Sequence, residues 1–210
     1  MNHAPVLGIR DEVALLKRER TIDAAVELFY ERGYENTSLD AVAERMGVTK
    51  PFIYAHFTSK AELLAEICSR GIASALAALD GVLDMAGTPT ELLAEVARHF
   101  VTAVLTNQSH IAIFTREIKN LLPVDLRRIN DMRREFDRKL TKLLDHGVAT
   151  GEFRLRDTRI AALAIGGMVS WAYVWYRPGG RLTLDNASRE LAALILALAG
   201  AGDARSAAGS

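Results

Sequence analysis

The sequence predicts an all-α protein of about nine helices. Three observations carry that expectation. Apolar residues recur at helical spacing along most of the chain, strand-like alternation over five or more residues is hard to find, and the five prolines and 15 glycines fall mostly where helices should start or stop. With 210 residues, half of them hydrophobic, the chain can bury a core and is too apolar for disorder. Its 26 Lys+Arg balance 26 Asp+Glu, which excludes a polybasic chromatin or membrane-surface protein. The single cysteine, Cys68, cannot form an intramolecular disulfide, no Cys/His cluster has zinc-ligand spacing, and no secretory signal is visible. The expectation is a reducing cytoplasm, with no metal and no cofactor.

The first helix is expected from about Asp11 to Arg32, with Val13, Leu16, Ile22, Val26 and Phe29 on one face and Gly33 at its end. Thr37 or Ser38 can cap a second helix from Leu39 to Met46, after which Gly47 and Val48 turn the chain. Thr49 is placed to cap a third, short helix carrying Lys50, Pro51, Phe52, Ile53, Tyr54 and Ala55. Pro51 is tolerable there because first-turn N–H groups have no intrahelical acceptor. Ser59 to Glu62 reads S-x-x-E, a capping box opening a fourth helix with Leu63, Leu64 and Ile67 inside. Thr88, Pro89, Thr90 and Glu91 repeat that logic for a fifth helix reaching about Thr106.

A sixth helix covers about Ser109 to Leu122 and stops at Pro123, and a seventh runs from Val124 to His146 with Leu126, Ile129, Phe136, Leu140 and Leu143 on one stripe. The eighth is the 17-residue uncharged run from Ile160 to Tyr176, between Arg159 and Arg177. That length touches the lower limit for a bilayer-spanning helix. Gly166, Gly167 and Ser170 within it, and no equally apolar run before it, favour a helix buried by protein. The ninth helix is expected from Asp185 to Ala199, while the first few residues and the tail from Gly200 should fray.

Two short helices joined by a glycine turn and preceded by a longer bracing helix are the geometry of a helix-turn-helix DNA reader. The second of the pair must expose its N-terminal end to enter a major groove ~12 Å wide. The stretch from Arg18 to Leu64 resembles the DNA-binding domain of the TetR family of bacterial transcriptional repressors. Matching features are Ala24-Ala25, Leu28-Phe29, Gly33-Tyr34, Thr37-Ser38, Val42-Ala43, Gly47-Val48-Thr49-Lys50 and the run Tyr54-x-His56-Phe57-x-x-Lys60. The resemblance implies a DNA-binding domain over residues 1–58 and a ligand-binding and dimerisation domain over 59–210. It also implies phosphate contacts from Ser38, Thr49, Tyr54, His56 and Lys60, with Thr37 beside them and Lys50, Pro51 and Phe52 nearest the base edges. Other readings stay open: Tyr54 as a packing residue, His56 as a surface histidine, Lys60 as a first-turn lysine opposed by the helix dipole. Ile53 and Phe57 are expected in the core.

Residues 1–60 hold eight Lys+Arg and nine Asp+Glu, so binding must rest on a local patch doubled by a dimer. The eighth and ninth helices are apolar around most of their circumference, which suits a homodimer joined through them, with Gly166 and Gly167 allowing close approach. Such a dimer predicts a palindromic double-stranded operator. The resemblance further implies a small-molecule effector, in a pocket lined by Phe100, His110, Phe114, Arg116, Met168, Trp171 and Trp175. Trp171 and Trp175 also fit plain core or dimer contact, and His99 and His110 fit ordinary helix positions.

The run "WAYVWYRPGGRL" from Trp171 to Leu182 is similar to members that sense acyl-coenzyme A thioesters, and Arg116 to Arg156 holds eleven Lys+Arg against seven Asp+Glu. A solvated helix face explains most of that excess, and an anionic ligand is the sharper reading. An enzyme finds no support, because G-x-S-x-G, P-loop and H-E-x-x-H patterns are all missing. The rival reading is a helix-turn-helix protein, or an activator, without a small-molecule effector.

Overall fold

A computed structural model describes residues 8–201, and among these every regular element is helical. The helices are α1 (Ile9–Arg32), α2 (Leu39–Met46), α3 (Lys50–Tyr54), α4 (Lys60–Leu83), α5 (Pro89–Thr106), α6 (Gln108–Glu117), α7 (Pro123–Ala149), α8 (Thr158–Ser170), α9 (Ala172–Trp175) and α10 (Leu184–Ala199). A 3-10 turn, Ile118–Asn120, follows α6. The chain forms two compact units, one joining the chain up to Cys68 with Ala112–Leu126, the other joining Ser69–Ile111 with the chain from Arg127 onward.

In the first unit, α1 packs on α2 and α2 on α3. Ile22, Ala25, Leu28, Phe29, Val42, Ile53, Phe57, Leu63, Leu64 and Ile67 are buried there, as the helical spacing requires. Val13 and Leu16 are not: they stand 43% and 55% exposed. At 1.5 Å per residue the 24 residues of α1 extend about 36 Å, and burial begins only at Thr21. The apolar face drawn from the sequence therefore runs two turns too far.

The second unit centres on α5, which contacts α8, α9 and α10. Its core includes Leu79, Leu93, Val101, Phe136, Leu140, Leu144, Ile165, Val169, Leu191 and Ile195. The capping box of α5 is complete, with Thr88 accepting from the Glu91 N–H and the Glu91 carboxylate accepting from the Thr88 N–H. Glu152 reaches the same helix end and accepts from the N–H and hydroxyl of Thr90.

Two predicted helices are each interrupted. The sixth leaves α geometry at Glu117 (φ −108°, ψ 8°) and closes with the 3-10 turn, because the Glu117 carboxylate is drawn inward to the Tyr34 N–H and the Asn120 amide, and Pro123 follows. The eighth breaks at Trp171. There the hydrogen bonding tightens from the Trp171 N–H on Gly167 O to the Val174 N–H on Trp171 O, leaving α9 as a separate turn. No helix among the described residues is long and apolar enough to cross a membrane. Gly200 is the left-handed C-cap of α10, while the frayed ends expected before residue 8 and beyond 201 lie outside the described residues.

Two glycines yield opposite outcomes on substitution. A Cβ on Gly147 would lie 2.0 Å from the Phe153 ring, whereas one on Gly81, late in α4, meets nothing within 4 Å. Gly147→Ala is expected to lower unfolding free energy by about 1–3 kcal/mol, and Gly81→Ala to raise it by about 0.5–1 kcal/mol through helix propensity. Urea denaturation of both variants checks the pair.

Candidate nucleic-acid interface

A five-residue helix needs tertiary anchorage, since nucleation alone makes so short a helix unstable. For α3 the anchors are Ile53 and, just beyond its end, Phe57, both fully buried. The opposite side is open: Thr49, Lys50, Pro51 and Tyr54 are exposed, and Phe52 is half-buried. The turn before α3 is set by Gly47, which is left-handed (φ 66°, ψ 31°), while the Val48 N–H bonds back to Ala43 O. Thr49 occupies the N-cap with extended dihedrals but makes no side-chain cap bond, so its hydroxyl differs from that of Ser38, which accepts from the Ala41 N–H at 3.1 Å and caps α2.

The remaining expected contact residues are placed unequally. Thr37 is buried and donates to Gly33 O, fastening the turn between α1 and α2. Lys60 donates to Tyr34 O at 2.9 Å and lies 4.1 Å from the centroid of the Tyr34 ring. His56 is half-buried and meets the Phe52 ring edge-on, with centroids 5.5 Å apart. Lys50 forms an ion pair with Asp40 of α2, which keeps its ammonium protonated above the ordinary lysine range. Burial, with Glu35 and Glu117 nearby, pushes the Tyr34 phenol up.

Several residues with structural claims on this surface carry no local sequence signal, because their partners lie far along the chain. Arg18 donates to His56 O at 2.8 Å, bonds Glu66, and stacks 4.1 Å from the Phe57 centroid, so it ties α1 to both the end of α3 and to α4. Lys17 lies 5.5 Å from the centroid of Phe52. Arg45 of α2 bridges Glu27 and Glu31 of α1. Arg116 donates to Phe29 O and to Tyr30 O at the end of α1, and its neighbour Glu117, buried, bonds the Arg116 Nε and accepts from the Tyr34 N–H. The expected capping box of α4 is displaced by one residue: Ser59 accepts from the Glu62 N–H, but the Glu62 carboxylate takes the N–H and hydroxyl of Thr58.

The residues expected around an effector are divided between the units. Phe100 is buried and packs on Phe136 with ring centroids 4.6 Å apart, and Met168 packs against the same core. His110 is half-buried in the second unit, while Phe114 and Arg116 belong to the first. Trp171 and Trp175 stand out from the second unit, 61% and 43% exposed. Burial pushes the Cys68 thiol up to about 12, so it is not a nucleophile at neutral pH.

A bracing helix, a glycine turn and a short helix with a free tip define a helix-turn-helix DNA-binding regulator. Residues 22–67 match the family model described as "Bacterial regulatory proteins, tetR family", and residues 86–199 match "Tetracyclin repressor-like, C-terminal domain". The chain belongs to the TetR family of transcriptional regulators. It is 27% identical to the HTH-type transcriptional repressor KstR2 of Rhodococcus jostii over 183 residues, which cover 86% of this chain and 89% of that one. Among solved structures, the TetR family regulator PfmR of Thermus thermophilus superposes with a TM-score of 0.77 at 31% identity, covering 85% of this chain and 97% of that chain. AibR, solved in complex with isovaleryl coenzyme A and operator DNA, superposes with a TM-score of 0.72 at 27% identity over the same shares, 85% and 97%.

The displaced capping box gives a pH signature. Its bonds from Thr58 hold the Glu62 carboxyl below its ordinary 4.5. The stabilisation is therefore full above that value and is lost as pH falls through the lower native one. Glu62→Gln should cost about 0.5–1 kcal/mol near neutral pH, a capping contribution reduced by solvent screening. The difference from wild type should close in denaturation curves taken below the ordinary carboxylate range.

Proposed function

We propose that this regulator represses transcription by gripping a palindromic operator as a homodimer, and that it lets go when a small-molecule effector, an acyl-coenzyme A thioester, binds its second unit. The exposed tip of α3 carries the reading. Thr49, Lys50, Pro51 and Tyr54 project from a helix whose other side is locked by Ile53 and Phe57, which leaves a rigid, narrow element suited to a major groove. Ser38, Thr49 and Tyr54 offer hydroxyls for phosphates, and Lys50 with Pro51 and Phe52 lies nearest the bases.

Dimerisation is supported by an unpartnered apolar stripe on the second unit. Ile160 and Leu163 of α8, Trp171 at its end, and Leu194 and Leu198 of α10 are all exposed, and α8 contacts α10. Pairing these faces across a two-fold axis buries them in a four-helix arrangement, with Gly167 on the same stripe. Two copies of α3 then meet successive major grooves ~34–36 Å apart. The AibR complex, which holds isovaleryl coenzyme A and DNA, supports the effector class. The effector favours a dimer with wrongly spaced recognition helices, acting through α4, whose start carries Lys60 and Glu62. A coupling of about 2.7 kcal/mol requires the free form to bind effector about 100-fold tighter than the DNA-bound form.

Selection from random duplexes by the purified protein, followed by sedimentation and effector titration, tests each part. The expected result is an inverted repeat bound by a dimer and released by isovaleryl-CoA or longer acyl-CoA thioesters. Alanine at Lys50 and Tyr54 should abolish selective binding, and Leu163→Glu should yield monomers. Asymmetric selected sites, a monomer at micromolar concentration, or stabilisation by cationic drugs instead of thioesters would each overturn the corresponding part.

A further inference from the structure

The ammonium of Lys50 at the start of α3 lies 2.5 Å from a carboxylate oxygen of Asp40 on α2. The two side chains are 64% and 51% exposed, and an ion pair in that setting adds about 0–1 kcal/mol to stability. Folding alone thus gives little reason for the contact. Asp40 does lie in the first turn of α2, where a negative charge suits the helix dipole, but that benefit requires no approach to Lys50.

Beside DNA the same pair has a distinct consequence. Attraction to an arbitrary duplex is set by how many phosphates the protein's cations neutralise. A lysine already matched by a carboxylate contributes little to that count, and the carboxylate itself is carried toward the polyanion. A base-edge acceptor in the right place is different: the ammonium has three donors, so it can keep Asp40 on one and offer another in a fixed direction. Arg45 with Glu27 and Glu31, and Arg18 with Glu66, show that carboxylate matching recurs in this unit, but Lys50–Asp40 is the pair at the leading end of α3.

Resting on the reading of α3 as the element that enters the groove, we infer that Asp40 is a specificity-determining residue: it cancels the charge of Lys50 toward arbitrary DNA and aims its ammonium toward one base edge. Asp40 itself need not touch the operator. It is a positioning residue that acts through Lys50, so its effect on selectivity and on the salt slope must vanish when Lys50 is gone.

The test uses the full chain as wild type, Asp40→Asn, Lys50→Met and the double variant. Affinity is measured by fluorescence anisotropy, across salt concentrations, for a duplex selected by the wild type and for a scrambled duplex of the same composition. Asp40→Asn should bind the scrambled duplex about fivefold tighter per protomer near ~0.15 M salt, about 25-fold for a dimer with both α3 helices on DNA, with a log–log salt slope steeper by about 0.9 per protomer or about 1.8 for the dimer, and lose selectivity accordingly. In the Lys50→Met background the same substitution should leave the salt slope and the selectivity unchanged and give only the smaller gain of removing one exposed carboxylate from beside the phosphates. Asp40→Ser, which also suits a first helical turn, supplies a second uncharged variant if Asp40→Asn does not fold.

If Asp40→Asn matches the wild type in both affinities and in slope while Lys50→Met weakens binding to the selected duplex, the inference is overturned and the interface stands. An equal gain from Asp40→Asn with and without Lys50 overturns it as well, because the effect is then bulk charge. If Lys50→Met binds the selected duplex as tightly as the wild type, the reading of α3 falls, and the role of Asp40 falls with it.

Discussion

The burial of Ile53 and Phe57 is the constraint on which the rest depends. Five residues cannot hold a helix by their own hydrogen bonds, so α3 exists only as long as those two side chains stay anchored. The anchorage is reinforced from outside the helix-turn-helix pair, by the Arg18 guanidinium on the Phe57 ring and on His56 O. Arg18 also bonds Glu66, so one side chain of α1 fixes the end of α3 to α4. Truncating either anchor would dissolve α3 without touching any residue of the proposed DNA interface.

Most of the fold was legible because it is written in local code. Capping sequences, the left-handed glycine turn at Gly47 and the proline at the head of α5 each act within four or five residues, which is the range a sequence pattern reports. Some misreadings are local, such as the capping bond that Thr58 takes from Ser59, but the larger ones involve partners distant in sequence. Nothing near Glu117 says that its carboxylate will meet the Tyr34 N–H, 83 residues away, and end α6 early. Likewise, helical spacing at Val13 and Leu16 states which side of α1 is apolar, but not how far along α1 a neighbour extends. The candidate interface divides in the same way: the tip of α3 follows from the motif, whereas Lys17, Arg18, Asp40 and Arg45 gain their meaning only from tertiary contacts.

A domain with as many acids as bases must bind a polyanion by arrangement. Several of its cations are held by neighbours: Arg45 by two glutamates, Lys60 by a backbone carbonyl and a ring, Lys50 by Asp40. In the proposed reading counterion release then supplies a modest share of the affinity, and hydroxyls and backbone N–H groups at helix starts supply more than in a basic reader. The weak electrostatic term also makes a single half-site inadequate. Duplication by a two-fold partner is what the proposed DNA reading then requires, and the exposed Ile160, Leu163, Leu194 and Leu198 are the surface proposed for it.

Arg116 shows how tertiary placement redirects a charge. Its sequence context suggests a cation for an anionic ligand. In the structure its guanidinium covers Tyr30 O and Phe29 O, the latter also accepting from the Gly33 N–H, at the end of α1 where positive charge is favoured. Glu117, pressed beside it, accepts from the next turn at Tyr34, so two consecutive residues close α1 and hold the Gly33–Tyr34 bend. That bend leads through Thr37 to the cap of α2 at Ser38. Three of the five N–H donors of Arg116 are engaged, so a ligand phosphate would meet the remaining two unless the side chain swung away from these carbonyls, which would expose the end of α1 and loosen the turn that sets α2. Binding an anion there and holding α2 in place would divide the donors of one guanidinium.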